Sequence, residues 1–165
     1  MKAIVAVDKN WGIGKNNDLL FSIPEDMKFF RKTTSGKVVV MGANTLRSFP
    51  GGNPLKNRVN VVLSTTIERD DCVVVDSLEK LLVEIKKYPK DEVYLIGGAR
   101  LYKTLLPYCE EALITKVNAD GGADVFFENV DTLDGWQLVD ESPAINDNGY
   151  EIKFTTYKNL QVKEY

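Results

Sequence analysis

Short runs of β-branched and aliphatic residues recur at 3–7, 37–41, 59–63, 72–75, 92–96 and 112–117, separated by polar or glycine-containing stretches. They do not alternate strictly between apolar and polar positions, so several are predicted as strands buried on both faces. Helical spacing lies between them. Residues 25–32 follow Pro24, residues 78–87 are opened by Ser77, and residues 99–106 stop at Pro107. Beyond residue 130 the pattern changes. Residues 136–141 and 150–158 read as two strands joined by the Pro-, Asn- and Gly-rich loop 142–149, an antiparallel ending. The whole predicts a single α/β domain over residues 1–165, with an eight-stranded, mostly parallel sheet, an antiparallel C-terminal strand and about four flanking helices.

The composition narrows the chemistry. With 165 residues, 44% hydrophobic and 27% charged, the chain suits one globular core. A chain of this size buries roughly 70% of its unfolded surface and needs neither disulfides nor a structural metal. Histidine is absent, which removes Ser-His-Asp triads, Cys-His pairs and His-ligated zinc. Cys72 and Cys109 form no CxxC spacing, so no dithiol centre and no metal site is expected. The 21 basic and 24 acidic residues leave a net charge of −3, with no basic cluster of the density a phosphate backbone demands. Nucleic acid and anionic membranes are not expected partners. The start carries one Lys and then five apolar residues, shorter than a signal-peptide core, and a cytoplasmic protein is expected.

Two strand-glycine-helix joins carry candidate chemistry: Val40-Met41-Gly42-Ala43-Asn44-Thr45 and Leu95-Ile96-Gly97-Gly98-Ala99-Arg100. Glycine lets backbone approach a ligand, and first-turn N–H groups favour an anion. Arg100 would add a fixed positive charge and Thr45 a hydroxyl. Two joins fit a ligand with several phosphates. Neither is a GxGxxG or Walker loop, and glycines that merely end strands and permit tight packing fit equally well. The connection 8–18 is long for a strand-to-helix join and reads as a lid, with Gly12 and Gly14 as hinges and Trp11 and Ile13 as an apolar face closing over a ligand. A packed surface loop fits it as well.

Phe29 and Phe30 fall three and four residues after Asp26, hence on its side of the predicted helix. A carboxylate facing apolar surroundings keeps its proton to higher pH, which is how a chain without histidine holds an acid near neutral pH. The competing account is structural: acidic residues favour a first helical turn, and Ser22-x-x-Glu25 reads as a capping box. For Glu25 the capping box suffices.

Taken in order, these segments resemble the dihydrofolate reductase family over nearly the whole chain. The resemblance rests on Ile4-Val5-Ala6, Gly12-Ile13-Gly14-Lys15-Asn16, Ile23-Pro24-Glu25-Asp26-Met27-Lys28-Phe29-Phe30, Val40-Met41-Gly42 with Thr45, Pro54-Leu55 before Arg58, Leu63-Ser64-Thr65, Ile96-Gly97-Gly98-Ala99-Arg100-Leu101-Tyr102, Ile114-Thr115 and the 124–127 segment. It implies that family's fold and hydride transfer from NADPH to the pterin ring of 7,8-dihydrofolate, giving tetrahydrofolate for one-carbon metabolism and nucleotide precursors. The partners it implies are dihydrofolate and antifolate-type small molecules, bound by a monomer.

By the same resemblance, Asp26 is the one ionisable side chain in the pterin pocket and promotes protonation of the ring, with Thr115 beside it. Ile4, Val5, Met27, Phe30, Phe49, Leu55 and Ile96 would line that pocket, and Arg58 would clamp the α-carboxylate of the glutamate tail. The cofactor's nicotinamide end would meet Ala6 and the loop carrying Ile13, Gly14, Lys15, Asn16, Asn17 and Leu19. Its phosphates would take Gly42, Ala43, Asn44 and Thr45 and the Gly97-Gly98-Ala99-Arg100 turn with Leu101 and Tyr102, and its adenosine end Leu63, Ser64 and Thr65. Two positions depart from the family's pattern. Phe21 stands where Trp is usual beside the pterin and has no N–H to hold a water, so proton delivery is tuned differently. Ala43 stands where Arg is common, so the reaction is implied more strongly than NADPH over NADH. A reductase of another heterocycle on this fold, or a non-catalytic folate or nucleotide binder, are the alternatives. Arg58 argues against the first and Asp26 against the second.

Overall fold

The Val-rich runs become strands because β-branched side chains pack well on a sheet whose faces are covered. In the computed structural model, which describes residues 1–165, the strands are β1 (Lys2–Val7), β2 (Gly12–Gly14), β3 (Val38–Gly42), β4 (Val59–Leu63), β5 (Val73–Val75), β6 (Val93–Gly97), β7 (Glu111–Val117), β8 (Val125–Phe126), β9 (Trp136–Glu141), β10 (Ile145–Asp147) and β11 (Tyr150–Asn159). The helices are α1 (Pro24–Thr34), α2 (Ala43–Ser48), α3 (Leu78–Ile85) and α4 (Ala99–Leu105). No helix is long and apolar enough to cross a membrane.

Nine strands form one sheet in the order β10-β11-β7-β1-β6-β3-β4-β5, with β9 also paired to β11. Neighbours from β7 to β5 are parallel, and β11 runs antiparallel to β7. β9 and β10 both lie antiparallel along the outer edge of β11, so the sheet is eight strands across. Pro143 has no N–H for a ladder and separates them. Ser142 keeps the edge paired there: its N–H donates to the Phe154 carbonyl at 2.8 Å and its Oγ accepts from the Phe154 N–H at 2.9 Å. The loop expected over 142–149 therefore contains a strand. A second, two-stranded sheet of β2 and β8 was also not expected from the pattern.

One core cluster joins the sheet to α3 and α4 through residues such as Val40, Leu95, Leu81 and Leu105. A smaller one gathers Val39, Met41, Leu46 and Val62 on alternate positions of β3 and β4 and on α2. In α1 only Thr34 is buried, and Met27 is 50% exposed. This helix thus leaves much of its apolar side open. Its N-terminus corrects the capping-box expectation. Ile23 is the cap residue with no side-chain bond, and the Glu25 N–H donates instead to Asp147 Oδ2 at 2.7 Å. Asn148 Nδ2 donates to the Ser22 carbonyl at 2.7 Å, so the β10–β11 hairpin holds the start of α1. Ser77 does cap α3, accepting from the Lys80 N–H at 3.1 Å.

Candidate active site

The first turn of α1 lies over β7. Thr115 Oγ1 donates to Asp26 Oδ1 at 2.6 Å, and Thr115 itself is only 2% exposed. No ion pair reaches Asp26. Burial pushes its carboxyl pKa up, and the Thr115 hydroxyl offsets part of that rise by stabilising the anion. The Phe29 and Phe154 rings meet at 4.8 Å beside the pair, and Phe154 is the β11 partner of Thr115. Phe49, Leu55 and Ile96 pack on the β3–β4 core cluster, while Ile4 is buried and Val5, Phe30 and Ile96 are half-buried. Thr115→Val removes the hydroxyl that favours the charged form. It is expected to raise the Asp26 pKa further, moving the alkaline fall of activity to higher pH, as a pH–rate profile would read.

Arg58 is held on the same helix one turn beyond Phe30. Its Nη1 donates to Thr34 Oγ1 at 3.1 Å and its Nε to the Lys56 carbonyl at 2.9 Å. Thr34 in turn donates to the Phe30 carbonyl at 2.8 Å. A guanidinium fixed in this way is suited to a planar carboxylate.

The two glycine joins converge. β3 and β6 are parallel neighbours with Met41 opposite Gly97, so α2 and α4 begin side by side. Gly97 has φ +129°, and a Cβ there would lie 3.3 Å from Thr45 Oγ1 and 3.4 Å from the Tyr102 ring. Gly98 faces the same hydroxyl, and Ala99 and Arg100 open α4, with Arg100 exposed and in no ion pair. This hydroxyl-lined notch would be narrowed by any side chain at Gly97, and it fits the phosphate-bearing part of a dinucleotide. Leu101 and Tyr102 are in the core, and the Tyr102 hydroxyl donates to the Ile4 carbonyl at 2.7 Å. They support the notch from beneath. Leu63 ends β4 opposite Gly42, followed by Ser64, whose Oγ accepts from the Thr66 and Ile67 N–H groups at 3.2 Å, while Thr65 is exposed.

The loop after β1 differs from expectation. Gly12 and Gly14 are not free hinges: they sit in β2, paired with Phe126 and Val125. They are small because the chains approach closely, and a Cβ on Gly12 would lie 2.4 Å from that of Ala123. Nor does Trp11 close over the slot. It packs against the main core with Lys116 Nζ 5.2 Å from its ring centroid, as Ile13 also packs against that core. Only 15–19 form an open tip. Lys15 and Asp18 exchange two backbone hydrogen bonds across Asn16 and Asn17, which have φ of 51° and 58°. The Asn16 N–H donates to Asp124 Oδ2 at 3.0 Å, Asn17 Nδ2 reaches the Asn44 carbonyl on α2 at 3.4 Å, and Leu19 is 70% exposed.

The family model described as dihydrofolate reductase matches residues 1–159. The dihydrofolate reductase of Bacillus subtilis (strain 168) is 37% identical over 159 residues, covering 94% of this chain and 92% of that one. The Staphylococcus haemolyticus enzyme is 32% identical over 162 residues, with 96% and 95% covered. The chain belongs to the dihydrofolate reductase family. Among solved structures, dihydrofolate reductase from Enterococcus faecalis complexed with NADP(H) and RAB-propyl superposes with a TM-score of 0.85 at 31% identity, covering 96% of this chain and 95% of that one.

Within the family's pattern, Phe21 packs against Tyr150 at 4.8 Å between ring centroids and joins the cluster of Ile23, Val117 and Ile152. It contributes an apolar wall and no hydrogen bond. Ala43 begins α2, and no guanidinium stands at that position. A separate cleft of about 320 Å³ opens beside Trp11, Lys116 and Asp131. Lys116 neighbours Thr115 on β7 and so projects from the opposite face of the sheet, away from Asp26.

Two residues that organise this dihydrofolate reductase site carried weak sequence signals. Asn60 is buried within β4, where its amide accepts from the Leu55 N–H and donates to the Leu55 carbonyl, both at 2.9 Å, and to the Arg58 carbonyl at 3.2 Å. An Asn inside a Val-rich strand was the signal. Asp8, 3% exposed, accepts from the Asn10 and Gly12 N–H groups on Oδ1 and from the Gly121 N–H on Oδ2. It thereby ties the loop after β1 to the loop before β8. Asp8→Asn keeps one oxygen but sets an amide NH₂ against an N–H donor. It is expected to cost about 1–3 kcal/mol in urea unfolding, with amide exchange rising more at Gly121 than at Gly12.

Proposed function

We propose that the protein reduces 7,8-dihydrofolate to tetrahydrofolate with NADPH, Asp26 holding the proton that the ring takes up. The single observation that carries the reading is the Asp26–Thr115 pair. It is a carboxyl with a raised pKa, free of any ion pair, on the open apolar side of α1. NADPH, when bound, supplies the hydride. The chain's own residues do the rest.

Thr45, Gly97, Gly98, Ala99 and Arg100 would hold the cofactor's phosphates, with Ser64 and Thr65 at its adenosine end and Ala6, Ile13 and Gly14 at its nicotinamide end. Ile4, Val5, Met27, Phe30, Phe49, Leu55 and Ile96 wall the ring from water and orient it. Asp26 keeps its proton to higher pH than an exposed aspartate because burial disfavours its charge, and Thr115 fixes the rotamer through which it is delivered. Arg58 clamps the tail carboxylate with two parallel N–H donors. A monomer acting in the cytosol belongs to the same reading. Mixing protein, NADPH and dihydrofolate and following the reduced-nicotinamide absorbance tests the reading. Loss of absorbance that requires all three is expected, and a steady signal overturns it.

A further inference from the structure

One charge of the cofactor has no partner among the residues named so far. NADPH differs from NADH by a phosphate on its adenosine ribose, and a phosphate dianion set against protein calls for a cation. Gly42 pairs with Leu63, so α2 starts beside Ser64 and Thr65 at the adenosine end. Ala43 opens that helix and brings no charge. Arg47 stands one turn further on. It is four residues after Ala43, so the two share one side of α2, and helical side chains lean toward the N-terminus. The guanidinium does so here, with Nη1 donating to Asn44 Oδ1 at 2.8 Å.

Arg47 is exposed, forms no ion pair and is the only basic residue between Lys37 and Lys56. No acid lies between Asp26 and Glu68, a span that covers β3, α2, β4, Ser64 and Thr65. The other cations near this end are engaged or turned elsewhere. Arg69 holds both Asp71 oxygens at 2.8 and 2.6 Å and the Gly52 carbonyl at 2.6 Å, and Lys80 pairs with Asp76 at 2.9 Å. Arg100 opens α4 after β6, which lies on the opposite side of β3 from β4.

We infer that Arg47 is the residue that selects NADPH over NADH, by donating N–H groups to the phosphate on the adenosine ribose. The inference rests on the function proposed above. The charge that Ala43 lacks is supplied from one helical turn away, and the guanidinium gives up only a neutral partner, Asn44, to supply it. The phosphate is remote from the reacting ring and is held alike in the ground and transition states, so the effect belongs in cofactor affinity and not in kcat.

The test titrates NADP⁺ and NAD⁺, without substrate, into the wild type, Arg47→Gln, Arg47→Lys and Lys80→Gln, reading Kd by calorimetry. The wild type is expected to bind NADP⁺ tighter by about tenfold or more, as one charge-assisted contact supplies. In Arg47→Gln that ratio should fall toward one through weaker NADP⁺ binding alone. Arg47→Lys should keep part of the ratio and Lys80→Gln all of it. In turnover, KM for NADPH should rise in Arg47→Gln while kcat and KM for NADH hold. Equal weakening of both nucleotides would mean that Arg47 serves a phosphate they share, and overturns the inference. A ratio untouched by Arg47→Gln, or lost in Lys80→Gln, overturns it too. A wild type that binds both nucleotides alike does the same while the reductase reading stands, and binding of neither overturns both.

Discussion

Asp26→Asn lowers turnover at neutral pH by on the order of 10² to 10⁴, the loss expected when a positioned acid is removed. The amide is nearly isosteric and can still accept from Thr115 Oγ1, so cofactor binding should persist and the loss should fall on the protonation step. The same substitution stabilises the fold. Burial raises the native pKa of Asp26 above its value in the unfolded chain, about 3.9. The native state therefore binds its proton to higher pH, and stability falls as pH rises from about 4 through the raised native value. At neutral pH that penalty is present and Asp26→Asn removes it; below about pH 3 it is absent. Thermal unfolding at neutral and acid pH should show a higher Tm for the variant only in the former. A variant that keeps near-normal turnover takes Asp26 out of the mechanism.

Arg58→Leu raises KM for dihydrofolate by on the order of 10², the loss of a charge-assisted, two-pronged contact with a carboxylate. A pterin lacking the glutamate tail should be almost unaffected, and kcat should change little, because this contact is made equally in the ground and transition states. Leu also leaves Thr34 Oγ1 bonded to the Phe30 carbonyl, so the helix end stays satisfied. Equal losses for both ligands would refute the clamp and would favour a substrate without a carboxylate tail.

The sheet was legible wherever burial on both faces produced an apolar run, as at 38–42 or 93–97, because those positions have one physical solution. Its short pieces were not. β2, β8 and β10 hold three residues or fewer, and β2 and β8 pair with each other across more than a hundred positions. The start of α1 shows the same limit. A local Ser-x-x-Glu pattern pointed to self-capping, yet Asp147, 122 positions away, takes the Glu25 N–H. Gly12 was ambiguous between freedom and close approach, and only the position of Ala123 decides it. Trp11 carries an apolar ring that could face either way. Its left-handed backbone, φ 65°, and the Lys116 ammonium over its ring go with a position away from the slot.

For the site, helical spacing gave Asp26 an apolar neighbourhood, while its bond to Thr115 across 89 positions came from family resemblance. Arg58 comes from resemblance too, and its support from Thr34, 24 positions away, is a tertiary fact. The acid-free stretch from 27 to 67 was present in the sequence throughout. Its meaning depends on the pairing of β3 with β4, which sets α2 beside Ser64 and Thr65.

The proton affinity of Asp26 carries the account, and a ¹³C titration of its side-chain carboxyl, assigned by comparison with Asp26→Asn, measures it directly. A midpoint clearly above that of the exposed aspartates, rising further in Thr115→Val, is the expected result. A midpoint at or below theirs contradicts the account, since the carboxyl would then have surrendered its proton long before neutral pH.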